Sequence, residues 1–131
     1  MTTPQTMHIG AVADRTGLSL RTLRHYDQVG LLPPSARSEG GFRLYTESDV
    51  ERLLLIRRMK PLGFSLEEMA DLLAVADRLG GGPDGTDVPD GEEEALRARL
   101  ARHVAAAQER RAALARRLDM ADELISLLRE L

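Results

Sequence analysis

Seventeen arginines and one lysine, Lys60, are the residues of this 131-residue chain best suited to chemistry at a partner's surface. A guanidinium keeps its charge at any physiological pH and presents a planar fork of donors that matches phosphate or carboxylate. Their distribution matters more than their number. Residues 1–63 hold nine basic and six acidic side chains, 64–79 one and four, 80–94 none and six, and 95–131 eight and five. The net charge of -3 therefore conceals a basic first half able to face an anion such as phosphate. Other chemistries lack their parts. The chain has no cysteine, which removes disulfides, thiolate metal sites and thiol redox sensing. His8, His25 and His103 fall in three different predicted elements and make no ligand spacing, so neither a metal nor a cofactor is expected. There is no nucleophile–base pair, and Gly80-Gly81-Gly82 opens no helix with a lysine, so the chain does not read as an enzyme.

Helices must carry most of this chemistry. With 43% hydrophobic but only 3% aromatic residues, a core has to be built from Leu, Ala, Ile, Val and Met, which predicts a mostly α fold. The length suits one domain with an appendage. The opening MTTPQTMHIG lacks a signal-peptide pattern, and no apolar run approaches the ~20 residues that span a bilayer, so a cytoplasmic protein without a membrane partner is expected. After an N-terminal arm, 1–7, residues 8–16 predict a helix with Ile9, Val12 and Ala13 on one face, closed by Gly17. Ser19 can cap a second helix, 20–29, with Leu20, Leu23 and Tyr26 inward and Arg21, Thr22, Arg24, His25 and Gln28 outward. Two short helices on a Gly turn fit a helix-turn-helix and equally a plain helical hairpin.

The following segment favours the first alternative. Pro33-Pro34 forces an extended exit, and a hairpin is expected with Ser35–Arg37 paired to Phe42–Tyr45 around Glu39-Gly40-Gly41. Strand alternation puts Phe42 and Leu44 on one face, read as packing inward, and Arg43 and Tyr45 on the other, read as meeting a partner. Arg43 is then a candidate for phosphate or minor-groove contact, with Arg37 across the hairpin; a merely solvated strand face gives the same pattern. Thr46-x-x-Asp49 is a capping box for a third helix with Val50, Leu53, Leu54 and Ile56 in the core and Arg52, Arg57, Arg58 and Lys60 outside. Ser65-x-x-Glu68 opens a fourth, with Leu66, Met69, Leu72 and Leu73 inward, ending near Leu79. Arg57, Arg58 and Lys60 form either a second phosphate-touching corner or a solvated face.

Residues 80–91, GGGPDGTDVPDG, read as a flexible acidic linker. Beyond it, Leu100, Val104, Ala107, Leu114, Leu118, Ala121, Ile125 and Leu128 alternate steps of four and three once Arg111 fills one slot, which is a coiled-coil seam. A helix over 92–131 is ~60 Å long and cannot bury that stripe alone. The simplest cover is a second copy in a two-fold dimer, the alternative being a fold-back on the same chain.

Over Ile9–Leu73 the sequence resembles the DNA-binding domain of MerR-family transcription regulators, through "RTLRHYDQVGLLPP", "GGFRLYTESDVERL" and "LGFSLEEM" in that order and spacing. The resemblance implies a winged helix-turn-helix over 8–79 followed by a dimerisation helix over 92–131 paired as an antiparallel coiled coil. It implies DNA contacts by Arg21, Thr22, Arg24, Tyr26, Arg43 and Tyr45, with His25 standing where the family often has an aromatic residue. It further implies a homodimer on a pseudo-palindromic site in double-stranded promoter DNA, distorted so that RNA polymerase can engage. Metal-sensing relatives use cysteines flanking the long helix; with none here, and with the chain read as ending in that helix, thiol metal sensing and an appended effector domain are not expected. A small-molecule effector between the coiled coil and the heads stays open. A protein adaptor and an architectural DNA binder with little sequence preference are the rival classes.

Overall fold

Residues Arg43–Thr46 form the central strand of a small antiparallel sheet in the computed structural model, which describes residues 5–80 and 88–131. In chain order the strands are β1 (Thr6–His8), β2 (Ala36–Arg37) and β3 (Arg43–Thr46), arranged β1-β3-β2. The expected hairpin is present, with Ala36 opposite Leu44 and Arg37 opposite Arg43. On the other side Thr6, Met7 and His8 pair with Thr46, Tyr45 and Leu44, so Thr6 and Met7, expected in the N-terminal arm, are strand residues. Three residues are too few to show alternation, and this pairing spans almost forty positions of sequence.

The faces of β3 are the reverse of those expected from alternation. Tyr45 is 0% exposed, whereas Phe42 is 66% exposed, with its ring edge-on to His8 at 6.4 Å. Alternation separates two faces but does not say which one the helices cover. Here the helices cover the face carrying Arg43 and Tyr45. Phe42 precedes the strand, in the turn where Gly41 adopts φ +82°, and is left at the rim.

Local chemistry sets the helix ends. In α1 (Ile9–Thr16), Val12 and Thr16 are buried, and the Thr16 hydroxyl donates to the Val12 carbonyl at 2.8 Å. Gly17 ends it in the left-handed conformation, φ +72°, which costs a glycine little. Ser19 accepts from the Thr22 backbone N–H at 3.0 Å and caps α2 (Leu20–Gln28). Leu23, Tyr26 and Leu32 are buried, but Leu20, expected inward, is exposed, since the first residue of the helix overhangs the core. Both bonds of the Thr46/Asp49 capping box start α3 (Glu47–Met59), which buries Val50, Leu53, Ile56 and Met59 and leaves Leu54 half-buried. A single 3-10 turn, Lys60–Leu62, and Gly63 follow. The reciprocal Ser65 and Glu68 bonds, both 3.1 Å, start α4 (Leu66–Leu79). Met69, Leu73 and Val75 are buried there, whereas Leu66, again the first helical residue, is exposed and Leu72 half-buried.

The chain separates into two units, residues up to Ala70 and residues from Asp71 onward. The second unit holds the rest of α4 and a long helix, α5 (Asp90–Arg129). It starts two residues before the expected Glu92, with Asp90, Glu92 and Glu93 favourably placed near the helix N-terminus. Within this unit Arg78 pairs with Glu92, and Asp71 with both Arg99 and His103, so α4 and α5 run antiparallel. The Arg99 guanidinium, and then His103, hold the Asp71 carboxyl below the usual carboxylate range. Of the expected linker, residues 81–87 lie outside the described residues. No helix among the described residues is long and apolar enough to cross a membrane.

Candidate nucleic-acid interface

Exposed positions of α2 line an open groove of about 630 Å³ together with Lys60 from the turn after α3. Arg21, Thr22, Arg24, His25, Tyr26 and Gln28 supply the α2 wall. Three fixed cations therefore converge on one concave surface with hydroxyl, amide and imidazole donors between them, a composition suited to a polyanion that also carries hydrogen-bonding edges. Thr22 is held from below, because Ser19 accepts from its N–H and donates to its hydroxyl at 2.9 Å. Tyr26, expected as a contact, is 1% exposed: its ring belongs to the core and only its rim reaches the groove. Burial raises the Tyr26 phenol above its ordinary range, which keeps it a neutral O–H at physiological pH.

The hairpin arginines lie in the same unit and are tied to α2 by an acid. Asp27 accepts from Arg43 Nε at 2.7 Å and from Arg37 Nη2 at 3.3 Å, and Arg37 Nη1 also donates to the Gly41 carbonyl at 3.2 Å. Tyr45 was the other expected contact on this strand. Full burial places it beneath the sheet instead of at a partner, and its hydroxyl has no hydrogen-bond partner among the described residues. Burial drives its phenol pKa upward, with nearby Arg43 opposing.

The second corner divides. Arg57 donates from Nη1 to the Thr16 carbonyl at 3.0 Å, placing a cation at the C-terminus of α1, where it offsets the helix dipole. Arg58 is exposed, and Lys60 joins the α2 groove instead of forming a separate site with it. Asp27 gave no signal in the sequence, and Asp49 gave one only as a helix cap. Asp49 is buried and accepts from Thr46 N, Ser35 Oγ and Arg52 Nη1 at 2.9, 2.5 and 2.9 Å, fastening the hairpin's approach to the start of α3. Its capping-box position was legible; the tie to Ser35 was not, because no local spacing encodes it.

Along α5 the seam residues are open. Leu100 and Ala107 are half-buried, while Val104, Leu114, Leu118, Ala121, Ile125 and Leu128 are exposed, Leu118 at 67%. Met120, Leu124, Leu127 and Leu131 are exposed beside them. Together they leave an apolar stripe open to water along one helix.

Comparison with known proteins agrees with this geometry. The family model described as MerR HTH family regulatory protein matches residues 7–75, and that described as MerR, DNA binding matches residues 50–131. The mercuric resistance operon regulatory protein of Bacillus cereus is 46% identical over 70 residues, 53% of this chain and 53% of that protein. The transcriptional activator TipA of Streptomyces coelicolor is 49% identical over 65 residues, 50% of this chain and 26% of its own. Such matches span about half of these relatives' length, or less. Among solved structures, HiNmlR, a MerR family regulator lacking the sensor domain and bound to promoter DNA, superimposes with a TM-score of 0.61 at 28% identity, covering 88% of this chain and 80% of that one. With its α2 groove, its basic hairpin and family models that together run from residue 7 to residue 131, the chain belongs to the MerR family of DNA-binding transcription regulators.

Proposed function

We propose that the chain acts as a homodimer that reads a pseudo-palindromic site in double-stranded promoter DNA, with α2 in the major groove and the β2–β3 hairpin as a wing on the flanking backbone. The observation that carries this reading is the convergence in one unit of the α2 groove, with Arg21, Arg24 and Lys60, and the wing arginines Arg37 and Arg43 linked to that same helix through Asp27. Arg21, Thr22, Arg24 and His25 are the candidates for base edges and adjacent phosphates. Arg43 and Arg58 are candidates for phosphates alone.

Dimerisation rests on the exposed α5 stripe from Leu100 to Leu128. Two heads on one dimer combine modest single-head contacts through effective concentration, and the distance between heads sets the half-site spacing. Distorting a site of this kind costs on the order of 1–6 kcal/mol, which several charge-assisted phosphate contacts offset. RNA polymerase at the distorted promoter is the downstream partner in this reading. The chain's lack of cysteine separates it from thiolate metal sensing, although some relatives are described as heavy-metal-dependent regulators.

Selection from a random-sequence duplex pool tests the reading. A recovered two-fold symmetric motif, bound with a steep salt dependence, is the expected result. Salt-dependent binding without any motif would instead mark an architectural binder, and no binding at low salt an adaptor of proteins.

A further inference from the structure

Asp27 is an acid on the DNA-facing helix, and its placement is unfavourable if the only consideration is attraction to phosphate. The carboxylate is 14% exposed and touches two wing arginines at one oxygen: Oδ2 accepts from Arg43 Nε at 2.7 Å and from Arg37 Nη2 at 3.3 Å. The two arginines are engaged differently. Arg37 uses one terminal nitrogen on Asp27 and the other on the Gly41 carbonyl, so its fork closes the hairpin. Arg43 is held only through Nε; its side chain is 24% exposed, and its two Nη groups make no hydrogen bond among the described residues. A guanidinium clamped along its Nε edge keeps a planar pair of donors in one fixed direction, and a donor fixed before binding loses less side-chain entropy on meeting a phosphate.

We propose that Asp27 is the positioning residue of the wing: it fixes the Arg43 fork to α2, so that groove reading and backbone contact are made in one register, while Arg37 serves as the strut that holds the hairpin to the same oxygen. This rests on the DNA-reading function proposed above and adds to it the residue that couples its two halves. The sign of its effect separates it from simple charge. Removing an acid near phosphate raises affinity if electrostatics alone operates; removing a positioning acid lowers affinity for the correct site while leaving or raising affinity for unrelated duplex.

The test uses the full chain and the duplex that the wild type selects from a random pool, with a scrambled duplex of equal length as control. Asp27→Ala is expected to weaken the selected site about tenfold, the order of cost of losing one well-placed arginine contact, with no net loss on the scrambled duplex, where the head docks in no fixed register and removal of a negative charge offsets the weakened phosphate contact. In an Arg43→Ala background, Asp27→Ala should cost little further, because the fork it positions is gone. Asp27→Asn, which keeps an acceptor for Arg43 Nε, should recover part of the affinity and serves where the alanine variant is poorly folded by circular dichroism. Equal or tighter binding of Asp27→Ala to the selected site overturns the proposal. So do equal losses on both duplexes or in both backgrounds, which would mean general unfolding. A wild type that selects no sequence at all would refute the DNA-reading function itself, and this inference with it, an outcome distinct from a wild type that binds beside an equally tight Asp27→Ala.

Discussion

At the scale of single residues, β3 gives different tasks to two side chains that share a face, two positions apart. Arg43 points its free donors outward from an anchored Nε, and Tyr45 carries its ring into the core with a hydroxyl that has no partner among the described residues. Arg43→Ala should therefore lower the magnitude of the slope of log K against log salt by about 1 for each head, as expected for one lost phosphate contact, measured by fluorescence anisotropy across a salt series. Tyr45→Phe should leave DNA affinity unchanged and raise stability by about 1 kcal/mol, because it deletes a buried polar group that forms no bond. In a domain of this size that is about 4–8 °C in melting temperature. A direct contact by Tyr45 would show as lost affinity in the same variant. The arginine stands out in the sequence as a candidate contact from its place between aromatics in a predicted wing. Its partner does not, because Asp27 and Arg43 are sixteen positions apart and meet only once the hairpin folds back on α2.

Elements were legible where their signals are local. Ser19, Thr46-x-x-Asp49 and Ser65-x-x-Glu68 each satisfy backbone N–H groups within one turn, and each starts a helix where the sequence places it. Strand β1 gave no such signal: three residues acquire their identity from pairing with β3, and which face of β3 is covered depends on helices supplied by other parts of the chain. Asp49 belongs to both kinds. Asp49→Ala removes the capping box and the Ser35 and Arg52 bonds together, and should destabilise the first unit by about 2 kcal/mol by thermal melting. A loss within a few tenths would mean that the buried carboxylate is dispensable. In the second unit, Asp71 links α4 to Arg99 and His103 on α5. Its folded pKa is depressed, so its contribution is complete above the ordinary Asp value of about 4 and is lost as pH falls through the lower folded value. Melting temperature should drop below about pH 4 more steeply in the wild type than in Asp71→Asn. Parallel acid limbs would remove Asp71 from the account.

At the scale of the whole molecule, α5 carries the surface on which the proposed dimer rests. Forty residues of helix carry an exposed stripe whose period of alternating threes and fours is the one that supercoiled helices bury against each other. The sequence made the stripe plain, because apolar periodicity survives without tertiary context; which surface covers it lies outside one helix's pattern. Ile125→Asp, placing a charge in the seam, should convert a species of about twice 14.4 kDa in sedimentation velocity into a monomer, and should weaken operator binding far more than it weakens binding of one head to a half-site. A wild-type monomer at micromolar concentration would remove the dimer from the account.

The central claim is that two heads read one symmetric site through α2 and its wing. Nuclease footprinting on the selected duplex, with the stoichiometry of the same complex measured by native mass, tests it most directly. The prediction is symmetric protection of two half-sites by two protomers, with enhanced cleavage at the centre and loss of protection in Arg43→Ala. Protection of a single half-site by one protomer, or none at low salt, would contradict it.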